Sequence, residues 1–278
     1  MNKSMPVLIN SLPKSGTNLV AKCLDIIGYS PVTESTTNKI FSLSSSAVLQ
    51  KSIAAKLRRV LWGARLQQGY LVGLDSPVEM SRKVVQNRLL SMSGTTYCTG
   101  HLGYTDDILN LCLDNGIRPI VVIRDPRAVI ASLVPFVMRR ERHILYKYYT
   151  SIAEEDRYRA ALKGVHRLNL NYQSMSVRCN AIQGWVFHED VLLVKFEDLI
   201  GSKGGGNDSD QIKTISDICA HIGITLDSFD SVADKLFGEG KHTFRKGRID
   251  SWKSEIPPRV IEEIESDLSD TLLAWGYR

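Results

Sequence analysis

Strands and helices alternate along this chain, and the alternation predicts an α/β fold: a central parallel sheet with helices on both faces. Three apolar runs carry that expectation, Pro6-Val-Leu-Ile-Asn10, Pro119-Ile-Val-Val-Ile123 and Val191-Leu-Leu-Val-Lys-Phe196. Each is short enough for a buried strand. At 278 residues, 43% hydrophobic and 23% charged, the chain has the composition of a soluble globular protein with an ample core. The expectation is one domain over residues 1–278.

In order, the first strand leads into Ser11-Leu-Pro-Lys-Ser-Gly-Thr-Asn18. Leu19, Val20, Cys23, Leu24 and Ile27 then recur at helical spacing up to Gly28, a helix stop. A strand, a tight loop and a helix N-terminus aim backbone N–H groups at an anion. Gly16 permits close approach, Ser15, Thr17 and Asn18 offer donors, and Lys14 adds a point charge. This is a phosphate cradle of a kind other than the nucleoside-triphosphatase loop, which needs Lys-Ser/Thr directly after its last glycine.

Between Pro31 and Gly69 periodicity is poor, although Lys51 to Arg65 carries five basic residues and no acidic one. That piece reads as a basic amphipathic helix. Tyr70-Leu-Val-Gly-Leu74 reads as a strand, Glu79 to Met92 as a helix, and Thr95 to Gly100 as a strand with His101 just past its end. Thr105 caps the next helix, with Asp106 and Asp107 in its first turn and Asn115-Gly116 as its stop. Arg124 ends the strand that follows. Asp125 then caps a helix with Pro126 at its first position. Ser132, two turns along, can converge with Arg124 on a phosphate monoester.

Met138 to Tyr172 is basic and tyrosine-rich and is expected to be helical. Gly201 to Asp210 reads as a flexible loop. Gln211 to Gly223 and Pro257 to Trp275 read as helices. The five scattered cysteines (Cys23, Cys98, Cys112, Cys179, Cys219) lack metal-ligand spacing and suggest free buried thiols in a reducing compartment. No metal site is expected. The net charge of +5 suits an anionic ligand without demanding nucleic acid. The first strand starts almost at the N-terminus, and no run reaches the roughly 18 apolar residues of a membrane span. The expected location is cytoplasmic.

Pro13-Lys-Ser-Gly-Thr17 resembles the 5′-phosphosulfate loop of sulfotransferases that use 3′-phosphoadenosine 5′-phosphosulfate (PAPS). Arg124 with Ser132 eight positions later resembles that family's 3′-phosphate motif. Phe196-Glu-Asp-Leu199 is similar to its aromatic-Glu-Asp-Leu element, whose aromatic lies near the adenine. Arg245-Lys-Gly-Arg-Ile-Asp-Ser-Trp-Lys253 resembles its Arg-Lys-Gly loop followed by Trp-Lys, with Asp250 and Ser251 where a Gly-Asp pair is typical.

The resemblance implies a three-layer, P-loop-like fold and sulfuryl transfer from PAPS to a hydroxyl or amine, releasing adenosine 3′,5′-bisphosphate. Lys14, Ser15, Gly16, Thr17, Asn18, Arg124, Ser132, Phe196, Arg245, Lys246 and Gly247 are the implied cofactor-binding residues. Lys14 would neutralise the leaving phosphate, with Ser132 moderating it. His101-Leu102 resembles the element that carries the catalytic base, and Asp75 and Glu79 are next in line. Many small-phenol enzymes of the family have a lysine two positions before that histidine, where Thr99 stands here.

The acceptor class (small molecule, carbohydrate, lipid or peptide) is open. Segments near 31–70 and 138–180 are expected to border its pocket; the basic stretches Lys51 to Arg65 and Arg139 to Arg167 within them read either as favouring a polar or anionic acceptor or as solvated faces. A small-molecule kinase would share the fold but lacks its Walker lysine here. A non-catalytic nucleotide-binding module would not need His101.

Overall fold

The computed structural model describes residues 4–33, 42–43, 69–168, 170–238 and 247–278. Its main sheet is parallel throughout. β1 (Val7–Ser11) lies at the centre, with β6 (Thr96–Gly100) on one side and β7 (Arg118–Ile123) on the other. β10 (Leu192–Lys195) pairs outside β7; the short β2 (Ser30–Pro31) and β3 (Ser42–Leu43) share the outer edge of β6. The register places Asn10 beside Gly100 and Val121.

Side chains on successive strand residues point to opposite faces, so each strand feeds two cores. Val7, Ile9, Ile120 and Val122 pack under α1 (Thr17–Ile26) and two later helices that include Ile215 and Val232. Leu8, Val121 and Ile123 face the larger core. There α2 (Arg82–Leu90), α3 (Asp106–Asp114) and α4 (Pro126–Met138) deliver Val85, Ile108 and Leu133. Both expected helix caps form: Thr105 accepts from the Ile108 N–H and Asp125 from the Arg127 N–H. All five cysteines are free and buried, and burial pushes the Cys23 and Cys98 thiols up to about 12. They are packing residues.

Three expectations need correction. Glu79 does not begin a helix; β4 (Tyr70–Val72) pairs antiparallel with β5 (Val78–Met80), and α2 starts only at Arg82. The hairpin buries Tyr70 and Met80 while Glu79 turns outward to accept the Gly69 N–H. The 138–172 stretch is helical only to Lys163. Gly164, at φ 79°, then ends the helix, and β8 (Val165–Arg167) folds back on β9 (Leu170–Tyr172) so that Val165 and Tyr172 are buried. The 201–210 stretch is a tight turn over Ser202–Gly204, and a helix opens at Asp208 under an Asn207 cap. The basic stretch Lys51 to Arg65 and most of the 31–70 segment lie outside the described residues.

The chain leaves β1 toward the β2 edge and leaves β7 toward β10. Neighbouring strands whose connections part in this way open a crevice at their carboxyl ends. Lys14 and Arg124 emerge at that point.

Candidate active site

A cavity of about 930 Å³ opens above the carboxyl ends of β1, β6 and β7. The first loop forms its floor. Lys14 at φ 76° and Gly16 at φ 106° make the two left-handed steps that turn the strand into α1. Lys14 is one of two non-glycine residues at positive φ among those described. Such backbone strain is costly and persists where surrounding structure imposes it. No acceptor among the described residues takes the N–H of Gly16 or Thr17, so both remain available to an anion at the helix N-terminus. The Thr17 hydroxyl is 2.5 Å from that of Ser11.

Lys14, Gly16, Thr17 and Asn18 all line the cavity. Ser15 does not: its side chain is fully buried, its N–H goes to the Leu12 carbonyl, and its hydroxyl finds no partner among the described residues.

A Cβ on Gly16 would stand 2.7 Å from Cδ2 of Phe196 in an already left-handed backbone. Gly16→Ala is therefore expected to destabilise the fold by about 1–3 kcal/mol. Urea melts read this directly; an unchanged midpoint would show that the loop gives way freely.

Arg124 and Phe196 form one unit. The guanidinium stacks 4.1 Å from the Phe196 ring centroid, donates to the Arg248 carbonyl at 3.1 Å, and reaches the Lys14 carbonyl at 3.5 Å. It therefore ties the first loop to the Gly247–Arg248 loop. Glu197 braces the unit from behind, accepting from the Asp125 N–H at 3.0 Å and the Tyr277 hydroxyl at 2.7 Å. Ser132 on α4, Phe196 and Gly247 share the cavity wall with Arg124. Arg245 and Lys246 lie outside the described residues. Asp250 takes φ 60° where the resemblance has glycine; aspartate tolerates that conformation better than most residues, so the loop keeps its turn. Trp252 is buried with Arg127 over its ring.

His101 is held from every side. Its N–H donates to the Leu43 carbonyl at 3.0 Å, and its carbonyl accepts from the Gly73 N–H at 2.8 Å. Asn10, buried at the end of β1, grips the next residue, donating to the Leu102 carbonyl at 2.9 Å and accepting its N–H at 2.8 Å. The ring nitrogen Nδ1 stands 2.7 Å from the Ser11 carbonyl. A carbonyl only accepts, so Nδ1 carries the proton and the lone pair of the neutral ring is on Nε2. Burial lowers the His101 pKa from its ordinary value, against the opposing pulls of the Ser11 carbonyl and Asp75. The ring is thus neutral at pH 7 and able to accept a proton.

Thr99 lines the same cavity and donates to the Ser42 hydroxyl at 3.1 Å. Asp75 is also on the wall, whereas Glu79 is exposed, bonded to Gly69 and away from it. Arg140, within the basic 138–180 segment expected to border the acceptor pocket, lies on the wall, whereas Asn10, Ser11, Phe136 and His143 were not foreseen. The Ser11 carbonyl carries no side-chain signal at all, and the others are ordinary residues until strands and helices converge. Among the described residues, no group of three His, Cys, Asp or Glu stands together to hold a metal ion, and no helix is long and apolar enough to cross a membrane.

The sulfotransferase domain family matches residues 4–237 of the chain, which takes in the first three motifs and stops short of the Arg245–Lys253 loop. The fold is similar to that of the mouse sulfotransferase SULT7A1 complexed with PAP, with a TM-score of 0.57 at 15% identity over 96% of this chain and 84% of that one. Retinol dehydratase, in a complex with androsterone and the inactive cofactor PAP, has a TM-score of 0.56 at 14% identity, covering 96% of this chain and 80% of that one. No curated protein matches the chain in sequence. At these identities the likeness to the solved structures is one of fold.

Proposed function

The chain belongs to the sulfotransferase domain family, and on that premise we propose that it transfers a sulfuryl group from PAPS to a hydroxyl or amine of an acceptor, with His101 as the base. One observation carries this reading: the Lys14 loop, the Arg124–Ser132 pair and His101 with its lone pair on Nε2 all line one cavity. The donor set fits PAPS. The Gly16 and Thr17 amides and the Lys14 ammonium suit a 5′-phosphosulfate, and the Arg124 guanidinium with the Ser132 hydroxyl suits a 3′-phosphate. PAPS, when bound, supplies an activated sulfuryl group whose departure leaves adenosine 3′,5′-bisphosphate.

The chain's own residues do the rest. His101 Nε2 takes the proton that an acceptor hydroxyl loses, and the Ser11 carbonyl steadies the imidazolium that forms by holding its Nδ1–H. The Lys14 charge opposes the negative charge that grows on the leaving phosphate. Positioning both reactants in one cavity removes much of the entropic barrier. The acceptor is a small molecule, carbohydrate, lipid or peptide.

Calorimetry tests the cofactor assignment. The protein is expected to bind adenosine 3′,5′-bisphosphate far more tightly than AMP or ATP. A charge-assisted contact contributes about 1.5–3 kcal/mol, so Arg124→Ala should weaken the bisphosphate by about ten- to a hundredfold and leave AMP within about threefold. Equal affinity of the native protein for AMP and the bisphosphate would sink the assignment.

A further inference from the structure

Where α4 ends, the cavity wall turns cationic. Phe136 and Arg140 are one helical turn apart, and the Arg140 guanidinium lies 3.9 Å from the Phe136 ring centroid. Lys14 Nζ is 4.0 Å from the same centroid, so one ring collects two positive charges. Stacking covers a face of the guanidinium and leaves its in-plane N–H fork available.

The chain then makes a tight turn, in which the His143 N–H donates to the Arg140 carbonyl at 2.8 Å. That turn brings Arg140, Arg142 and His143 together on the cavity wall. Among the described residues no carboxylate pairs with Arg140 or Arg142. His143 Nδ1 accepts the Leu145 N–H at 3.2 Å, which leaves its Nε2 as a donor in the neutral ring. Burial lowers the His143 pKa; Asp75 opposes this, and Arg140 and Lys14 add to it.

Two carboxylates share the wall. Asp75 already accepts the Ser76 N–H at 2.9 Å, and its charge acts on His101 as well as on His143, while Glu141 is exposed on the turn. Neither cancels the fork over Phe136.

We propose that Arg140, seated on Phe136 with Arg142 and His143 beside it, is an anion-binding subsite of the acceptor pocket. The acceptor is then a hydroxyl compound that bears a second, anionic group: a carboxylate, phosphate or sulfate. This rests on the sulfuryl-transfer reading above and specifies its acceptor. Such an acceptor sets its anion in the Arg140 fork and presents its hydroxyl to the cavity that His101 shares.

The test uses the native protein saturated with adenosine 3′,5′-bisphosphate, which fills the nucleotide contacts. Calorimetry then compares three matched phenols: 4-hydroxyphenylacetate, neutral 4-ethylphenol and cationic tyramine. The carboxylate is expected to bind at least about tenfold more tightly than the neutral compound. Arg140→Gln should erase that preference and move 4-ethylphenol less than about threefold; Arg142→Gln, at an exposed position, should reduce it. Neutral or cationic probes binding as well as the carboxylate, or no probe binding at all, would overturn the subsite. Failure of the bisphosphate itself to bind would instead overturn the parent reading, so the two failures are distinguishable.

Discussion

Replacing His101 with alanine is expected to cut turnover by at least about a hundredfold while affinity for adenosine 3′,5′-bisphosphate stays within a few-fold. General-base catalysis is typically worth about 10²–10⁴-fold, and the imidazole is the group on this wall that is neutral, oriented and basic. The variant should fold. The backbone of residue 101 is pinned to Leu43 and Gly73, and Asn10 holds Leu102 whatever side chain precedes it.

A pH profile gives an independent reading. The fold lowers the His101 pKa below its ordinary 6.5, so the base form persists through neutrality. kcat/KM should then fall only as pH drops below 6.5, and the acid limb should vanish in His101→Ala. A limb centred above 6.5 would contradict the lowered His101 pKa, and near-normal turnover in the variant would move the base to Asp75. Glu79 is no longer a candidate, because it faces away from the cavity with its carboxylate on Gly69.

Lys14→Met is expected to slow the transfer step by about 10²–10³-fold, the range found when one preorganised group facing a developing charge is removed. Methionine keeps the length and the contact with Phe136 and removes only the ammonium. Because the charge on the leaving phosphate grows through the transition state and is complete in the bisphosphate, single-turnover rate and bisphosphate affinity should both fall, while PAPS affinity suffers least. A rate loss below tenfold would assign the charge stabilisation to another cation on the wall, Arg140 first, because it shares the Phe136 ring with Lys14.

The wall proposed to hold the nucleotide was legible because its contributors are close in sequence. Lys14 to Asn18 lie within one loop, and Arg124 and Ser132 lie at either side of one helix start. Strand, loop and helix signals therefore locate them together. Ser15 shows the limit of that logic: the right residue type in the right loop, it points into protein because the left-handed steps at Lys14 and Gly16 rotate it away from the cavity. Phe196 likewise reads as an aromatic at a strand end. That it packs on Gly16 and under Arg124 follows only from β10 lying beside β7.

Chain order and side-chain chemistry alone determined the parallel α/β architecture, the strand–loop–helix turn at Lys14 to Asn18 and the Asp125-capped helix that carries Ser132. Local signals suffice there, since periodicity and capping act over a few residues. His101, by contrast, was singled out among six histidines by the resemblance of His101-Leu102 to a family element. The tertiary structure decided which nitrogen of His101 is basic, because the Ser11 carbonyl that sets the tautomer is 90 residues away and reaches it only through the pairing of β1 with β6. It also decided that Glu79 turns outward in a hairpin and that Phe136 gathers Lys14 and Arg140. Those are matters of which distant surfaces meet, and their physical origin is burial: Tyr70 and Met80 closing one sheet, and the apolar faces of α1 and α4 packing on opposite sides of another.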